Sequence, residues 1–226
     1  MNGCVFDSDG LRVTRVTFRL IGEHCYILTD TGSGRSAVVD PGFDGPAFAD
    51  ALDAQEPDSV DYILLTHGHF DHIGGAALVK ARFPRAKLAV HPADEDCLRD
   101  GDSSLSSFFG FPPHEPLTSD LALWDRCRLP LGAREIVTYH TPGHSPGSVV
   151  FAADSLLFTG DTLFQGTCGR TDLPGGDSRQ MLASLERIAQ IFEAGAYEDM
   201  TVFPGHGEST TMRAELATNY FYRRRT

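Results

Sequence analysis

Four potential metal ligands lie within one short segment of this chain, His67-Gly-His-Phe-Asp-His72. Imidazole and carboxylate groups cluster in this way around metal ions, and a set of solvated turn histidines does not explain this spacing. The preceding residues 60–66 are apolar and β-branched and predict a buried strand, whereas residues 73–79 predict the start of a helix. The first two histidines can point the same way from an extended turn, and the aspartate and third histidine fall on the first helical turn. The segment therefore predicts a strand-to-helix turn that supplies ligands to two adjacent metals.

Three shorter segments follow the same rule, because each places one ligand-type residue beside glycine where an apolar strand is predicted to end. They contain His144 (residues 141–147), Asp161 (residues 159–162) and His206 (residues 203–208). Glycine lets the backbone bend there and approach an ion closely. Each segment alone is typical of an ordinary turn. Together with the first segment they supply the seven ligands that a two-metal site requires.

The composition excludes several classes of function. The 226 residues carry a formal net charge of −12 and only one basic run, Arg223-Arg-Arg225, so we expect no nucleic-acid partner. No window approaches the roughly 18 continuous apolar residues that a membrane span needs. The first residues lack the basic and apolar regions of a secretion signal, and the five scattered cysteines form no CxxC pair. These features predict a cytoplasmic protein that does not enter a membrane.

The pattern of apolar residues predicts the order of the elements. Strands are predicted at residues 13–20, 24–28, 36–40, 60–66, 87–91, 135–139, 148–151, 156–159 and 201–204. Helices are predicted at residues 46–55, from 73 onward, 92–99, 178–194 and 208–222. This alternation predicts an α/β (α+β) fold in which two sheets lie face to face with helices outside. We expect a single domain of two similar halves over residues 1–226.

One long loop interrupts this pattern. Residues 101–119 are rich in serine, glycine and proline and carry three phenylalanines, Phe108, Phe109 and Phe111. Loops of this length inside a domain are more often functional than idle. We predict that the loop forms a wall or lid of a substrate pocket, with Phe109 as a contact; a linker between domains is the alternative.

The ligand order His-x-His-x-Asp-His, followed by His, Asp and His, resembles that of the metallo-β-lactamase-fold hydrolases. Residues 160–177, which include Gly169-Arg-Thr-Asp-Leu-Pro174, resemble more specifically the short glyoxalase II-like thioesterases of the hydroxyacylglutathione hydrolase type. The likeness extends from Val39-Asp-Pro-Gly42 to the helix after His206. It implies a four-layer αββα sandwich of the metallo-β-lactamase type.

The resemblance also implies a role for each ligand. One metal would be held by His67, His69 and His144, the other by Asp71, His72 and His206, with Asp161 as the bridge. Asp40 would hydrogen-bond a ligand imidazole and fix its tautomer. An aspartate at position 161 differs from the β-lactamases that carry cysteine there, and a histidine at position 69 differs from the flavodiiron branch, which carries glutamate.

The implied cofactors are two divalent ions, zinc in the first place, with iron or manganese as alternatives. The implied substrate is a small-molecule acyl thiol such as S-lactoylglutathione. A hydroxide held between two cations is nucleophilic at neutral pH, and we expect Asp71 and Asp161 to act in catalysis by holding those cations. The thiol leaving group has a pKa of about 8.5 and departs as thiolate without a strong general acid.

Other functions remain open on the same residues. The stretch Cys168-Gly-Arg-Thr-Asp172 also resembles the persulfide dioxygenases, in which His67, His144 and Asp161 would hold one iron. A lactonase, a phosphodiesterase or a non-catalytic metal-binding protein are further alternatives. Cys168 and Arg170 are candidate substrate contacts, although a structural salt bridge to Asp172 or a loop anchor near the site is the favoured role of Arg170.

The end of the chain carries two more expectations. Few residues follow His206, so neither the C-terminal extension of the dioxygenase group nor the glutathione-binding helical domain of long-form glyoxalase II is expected. Phe221 and Tyr222 are expected to be exposed and to offer a dimer contact, and both a monomer and a homodimer fit the sequence. His24 stands where family members often carry asparagine, so the role of that asparagine is not transferred.

Overall fold

Two β-sheets form the centre of the computed structural model, which describes residues 2–192 and 199–223. The first sheet has seven strands that lie side by side in chain order: β1 (Gly3–Ser8), β2 (Leu11–Phe18), β3 (Glu23–Asp30), β4 (Arg35–Val39), β5 (Val60–Leu64), β6 (Lys87–Val90) and β7 (Leu121–Ala122). The second sheet contains β8 (Arg128–Leu131), β9 (Arg134–His140), β10 (Val149–Ala153), β11 (Leu156–Gly160), β12 (Thr201–Pro204) and β13 (Thr210–Thr211). Its spatial order is β13-β12-β11-β10-β9-β8.

Strand β3 illustrates why the central strands are apolar on both faces. Side chains alternate across a strand, so successive residues face opposite sides of the sheet. Tyr26 and Leu28 pack in the cluster between the two sheets, together with Phe151 and Phe158 of the second sheet. Cys25 and Ile27 instead belong to the cluster under the helices of the first sheet. A strand covered on both faces therefore reads as a continuous apolar run.

Helices cover the outer face of each sheet. The first sheet is followed or covered by α1 (Pro46–Asp53), α2 (Phe70–Ile73), α3 (Ala76–Arg82), a 3₁₀ helix (Pro92–Leu98) and α4 (Ser106–Phe109). The second sheet carries α5 (Ser178–Phe192), α6 (Met212–Thr218) and α7 (Tyr220–Arg223). The apolar stripe of α5, from Met181 through Leu185 and Ile188 to Phe192, packs against Val150, Leu157 and Val202 of the sheet. The order of layers is therefore α-β-β-α, which confirms the predicted fold class.

The prediction of one continuous closing helix at residues 208–222 is wrong, because two short helices, α6 and α7, occupy residues 212–218 and 220–223. Residues 210–211 form β13, and Asn219 separates α6 from α7 with an extended backbone, ψ 132°. The Asn219 amide donates hydrogen bonds to the carbonyl oxygens of Phe164 (3.4 Å) and Thr167 (3.0 Å), which lie far away in the sequence. These bonds to a distant loop favour a break that helical periodicity does not indicate.

Three smaller expectations also change. Tyr222 is only 4% exposed and packs in the cluster under the second sheet, so it does not offer the expected dimer contact. The predicted helix at residues 92–99 is a 3₁₀ helix. Strands β1, β7 and β8 were not predicted, nor was the short helix α4 inside the predicted 101–119 loop. Arg224, Arg225 and the predicted helix end at Ala194 lie outside the described residues. Within the described ranges, no helix combines the length and apolarity that crossing a membrane requires.

Candidate metal centre

The ligand-type residues lie where strands of both sheets end. His67 and His69 follow β5, Asp161 follows β11 and His206 follows β12. His144 lies in the turn between β9 and β10. The backbone N–H of Val149 at the start of β10 donates to the carbonyl of Thr66 at 2.7 Å, so the two sheets are joined at this edge. Turns that are remote in sequence therefore meet at one place.

The structure brings all seven candidate ligands together in one cluster. Three groups of residues could each hold an ion, because one ligand atom from each member lies within 4.8 Å of those of the other two. The groups are His67, His69 and His144; His67, His72 and Asp161; and Asp71, His72 and His206. The first and third groups coincide with the two sets implied by the family resemblance. Asp161 reaches both of them, since its Oδ1 lies 3.5 Å from His72 Nε2 and its Oδ2 lies 3.4 Å from His144 Nε2.

The distances within the cluster suit ligands that share an ion. Two atoms that are each about 2.1 Å from a tetrahedral ion lie roughly 3.4 Å apart. The Nε2 atom of His206 is 3.4 Å from Asp71 Oδ2 and 3.8 Å from Asp161 Oδ2, close to the separation of two ligands on one ion. Buried polar atoms normally have partners, yet four atoms here have none: Nε2 of His67, His72 and His144, and Oδ1 of Asp161. The cluster could hold metal ions, and these unpartnered atoms fit that use.

Asp40 holds the buried side of the cluster. Its Oδ2 accepts from His72 Nδ1 at 3.0 Å and from the Thr66 hydroxyl at 2.6 Å, while its Oδ1 accepts from the Thr66 N–H at 2.7 Å. This arrangement leaves His72 Nε2 directed into the cluster. Asp40 has a left-handed backbone, φ 48°, which an aspartate tolerates better than most residues. Asp40 thus lies where it was expected, against a candidate ligand imidazole.

Two supports of the His144 turn had no clear signal in the sequence. His144 Nδ1 donates to the backbone carbonyl of Arg170 at 2.8 Å, so the main chain of residue 170 orients this imidazole. The buried carboxylate of Asp94 accepts from the N–H groups of Gly68 (2.9 Å) and Gly147 (2.7 Å) and from the Ser145 hydroxyl (2.6 Å). Asp94 therefore fastens the His67–His72 segment to the His144 turn. A lone aspartate in a helix pattern does not indicate this role.

Residues at the start of β3 support the His206 turn. The N–H of His24 donates to the carbonyl of Gly205 at 2.8 Å, and its Nε2 donates to the carbonyl of Gly207 at 2.7 Å. Burial lowers the pKa of His24 to about 4, so this imidazole is neutral. Its neighbour Glu23 is fully buried, and burial raises the pKa of that carboxyl well above its ordinary value. The backbone of Glu23 pairs with that of His206 in an isolated antiparallel bridge, so both residues support this turn. Neither role was predicted, because a local pattern does not show which distant turn a residue contacts.

Burial and mutual repulsion keep two of the imidazoles neutral. Burial, together with the neighbouring imidazoles, lowers the pKa of His67 well below its ordinary value and that of His69 to about 3. Neutral imidazoles are the form that binds metal. Burial would also lower the pKa of His72, but the carboxylates of Asp71, Asp40 and Asp161 outweigh it and raise that pKa. The three carboxylates therefore favour the protonated form of His72 in the metal-free protein.

A cavity of about 380 Å³ opens onto the cluster. Phe109 and Phe111 from the 101–119 segment line it, so this segment forms a wall of the cavity as expected. Arg170 also lines it, with its guanidinium bound to the Asp172 carboxylate at 2.7 and 2.8 Å, the expected salt bridge. Cys168 lies on a separate cavity beside α5, together with Met181 and Phe221.

Comparisons with known proteins agree with this geometry. Residues 19–206 match the family model described as metallo-beta-lactamase superfamily. A protein named hydroxyacylglutathione hydrolase GloC, from Haemophilus influenzae, is 29% identical over 202 residues, which are 88% of this chain and 92% of that protein. A probable metallo-hydrolase of Streptococcus pyogenes is 31% identical over 220 residues, 94% of this chain and 90% of that protein.

Solved structures match over nearly the same range. BLEG-1, described as a B3 metallo-beta-lactamase, superposes with a TM-score of 0.83 and 34% identity over 93% of this chain and 99% of that chain. TTHA1623 in a di-iron-bound form superposes with a TM-score of 0.76 and 33% identity over 92% of this chain and 98% of that chain. ETHE1 from Myxococcus xanthus, at 21% identity and a TM-score of 0.73 over 92% of this chain and 83% of that chain, shares the fold.

Proposed function

The chain belongs to the metallo-β-lactamase superfamily, whose members are generally metal-dependent hydrolases, and from that premise we propose that it is a dinuclear thioesterase. Its substrate is a small-molecule S-acyl thiol, for which S-lactoylglutathione is the first compound to test. The observation that carries the proposal is the pair of ligand triads with Asp161 between them. The likeness to the protein named hydroxyacylglutathione hydrolase GloC supports the thioester as the bond that is cleaved.

Seven side chains would hold the two ions. His67, His69 and His144 would bind one ion, and Asp71, His72 and His206 the other. When bound, two divalent cations supply an activated water at neutral pH and a Lewis acid for a carbonyl oxygen. The two carboxylate oxygens of Asp161 face different triads, 3.5 Å from His72 Nε2 and 3.4 Å from His144 Nε2, so this residue would join both halves of the site.

The surrounding chain fixes which nitrogen faces the cluster for two of the imidazoles. Asp40 accepts the Nδ1 hydrogen of His72, and the carbonyl of Arg170 accepts that of His144. Both rings therefore present Nε2 to the centre without a rotation that would cost free energy on binding. Burial of His72 and His144 also excludes water from the ligand side of the rings.

The cavity lining favours a leaving group that needs no proton. Besides members of the His/Asp cluster, Arg170 is the only described residue of the lining with an ionisable side chain. An arginine stays protonated at ordinary pH and is a poor proton donor. A thiol with a pKa of about 8.5 leaves as thiolate, whereas an amine must be protonated as it leaves. This contrast favours thioesters over amides as substrates.

Metal content and activity together test the proposal. We expect about two ions per chain in protein purified without added metal, and hydrolysis of S-lactoylglutathione or of an N-acetylcysteamine thioester. One iron per chain, with consumption of dissolved oxygen when a persulfide is added, would contradict the thioesterase. It would favour the dioxygenase that the Cys168–Asp172 stretch also resembles. Turnover of a chromogenic β-lactam without thioester hydrolysis would align the chain with BLEG-1 instead.

A further inference from the structure

Two chemically different groups of side chains line the cavity beside the metal centre. One group consists of His69, Asp71, His144, Asp161 and His206 from the His/Asp cluster. The other, apart from Arg170, is apolar and comprises Ile21, Phe70, Phe109, Phe111, Phe164 and Leu173, of which Phe70, Phe111 and Leu173 pack together. A reacting carbonyl at the cluster would therefore place a neighbouring part of its molecule against a hydrophobic surface.

Three phenylalanines of this surface form a connected wall. The Phe70 ring centroid lies 4.8 Å from that of Phe111 and 5.7 Å from that of Phe109. Phe43 packs behind them, 5.9 Å from Phe111. Because Phe70 follows His69 directly in the chain, the wall begins next to a candidate metal ligand. We call Phe70, Phe109 and Phe111 the aromatic wall.

The wall offers no neutral hydrogen-bond partner. No serine, threonine, tyrosine, asparagine or glutamine is among the described residues that line the cavity. The guanidinium of Arg170 already donates two hydrogen bonds to Asp172. A hydroxyl group packed against the phenylalanine rings would lose water partners and gain none from those rings, which costs free energy. An apolar group would gain free energy by leaving water.

The cavity also has room for a sizeable apolar group. The cavity volume of about 380 Å³ lies within the roughly 300–1,000 Å³ of small-molecule pockets, so the wall has room for a group larger than lactoyl.

We propose that the substrate carries an apolar acyl group, aromatic or a medium-length aliphatic chain, and that the aromatic wall selects it over hydroxyacyl groups such as lactoyl. The inference rests on the thioesterase function proposed above and names the acyl half of its substrate. The thiol half extends from the cluster toward solvent, because the apolar side of the cavity is filled by the acyl group.

Two thioesters of the same thiol test the preference. We expect kcat/KM for S-octanoylglutathione to exceed that for S-lactoylglutathione by at least about tenfold, since contacts in an apolar pocket discriminate on this scale. A preference for the lactoyl ester would overturn the inference and leave the thioesterase intact. Hydrolysis of neither ester would overturn the thioesterase, and the acyl preference would fall with it.

A binding measurement separates the wall from turnover. We expect calorimetry on the metal-free protein to detect binding of octanoate with a negative heat-capacity change, and binding of lactate at least about tenfold more weakly. Equal binding of the two carboxylates would contradict selection by the wall, whether or not either thioester is hydrolysed.

A matched pair of variants locates the effect on the wall. Phe109→Ala removes a wall residue that is partly exposed, so the fold should persist, whereas Phe108→Ala removes an adjacent residue that does not line the cavity. We expect F109A to lower kcat/KM for the octanoyl ester about tenfold and for the lactoyl ester less than about threefold. F108A should lower the octanoyl value less than about twofold. Equal losses for the two esters, or for the two variants, would overturn the assignment.

Discussion

The Oδ2 atom of Asp40 lies 3.0 Å from the Nδ1 atom of His72, and both side chains are almost completely buried. The same carboxylate accepts two hydrogen bonds from Thr66, the residue that precedes the first candidate ligand. A carboxylate behind a ligand imidazole fixes the ring and raises its basicity. Asp40 therefore connects the end of β5 with the second triad and is a positioning residue for the whole centre.

Replacing Asp40 should weaken metal binding, because its carboxylate orients the His72 ring. Both oxygens of Asp40 accept hydrogen bonds, so the amide group of Asp40→Asn would face an N–H or O–H donor of Thr66 or His72. The resulting repulsion would remove the fixed orientation of the His72 ring. We expect metal affinity to fall about 10–100-fold, as measured by competition with a chelating dye. The exposed Asp44→Asn is the matched control, and an equal loss of affinity there would contradict the role of Asp40.

Metal binding should release protons near neutral pH. Despite its burial, His72 has a raised pKa in the metal-free protein, because Asp71, Asp40 and Asp161 surround it. An ion at Nε2 must displace that proton, so the apparent affinity should rise with pH until it reaches the pKa of His72 and then level off. Calorimetric titration of zinc in buffers of different ionisation enthalpy measures the protons released. Zero release at pH 7 would mean that His72 is neutral before binding.

Removing Asp161 should separate the two halves of the centre. Asp161→Ala takes away both oxygens that face the triads, and Asp161→Asn keeps the shape but removes the charge. We expect each variant to retain fewer than two ions per chain and to lose at least about a thousandfold in kcat for the best thioester. Melting temperatures would verify that the variants are folded. Wild-type turnover in the alanine variant would contradict the proposed mechanism.

Asp94 should matter for stability, although it contacts no candidate ligand side chain. Its removal leaves the N–H groups of Gly68 and Gly147 and the Ser145 hydroxyl without their buried acceptor. We expect Asp94→Ala to lower the free energy of unfolding by about 3 kcal/mol. Asp96→Ala, in the same 3₁₀ helix but 89% exposed, should change it by less than about 0.5 kcal/mol. Denaturant unfolding compares the two, and similar values would refute the role of Asp94.

The stacked pair His91 and His140 predicts a loss of stability in acid. Their ring centroids are 4.0 Å apart, and burial together with His140 lowers the pKa of His91 to about 4. The unfolded chain binds a proton below a pH of about 6.5. As pH falls from there toward 4, the unfolded state takes up a proton that folded His91 does not, so stability declines over this window.

His91→Asn tests this titration without removing the helix cap. The Nδ1 atom of His91 accepts from the N–H of Ala93 at 3.2 Å, and an asparagine oxygen can do the same. We expect the free energy of unfolding of the metal-free protein to drop less between pH 7 and pH 5 in the variant than in wild type. Identical drops would mean that His91 does not contribute to the pH dependence.

The sequence was sufficient to predict the layers and the ligand-type residues. Strands such as β5 and β11 are apolar on both faces because each lies between a second sheet and helices, and that environment leaves a local pattern. The seven ligand-type residues follow the ends of predicted strands in the sequence. Their position in the local pattern therefore predicted that they lie near one edge of the sheets.

Only the tertiary structure decided what lies against those residues. Asp94 meets Gly147, the Arg170 carbonyl meets His144 and the Asn219 amide meets Thr167, and each partner is more than 20 residues away in the chain. The aromatic wall likewise combines Phe70 of α2 with Phe109 of α4, which the sequence analysis assigned to a turn and to a long loop. Local patterns record which face of an element is buried, but the identity of the partner depends on how distant elements pack.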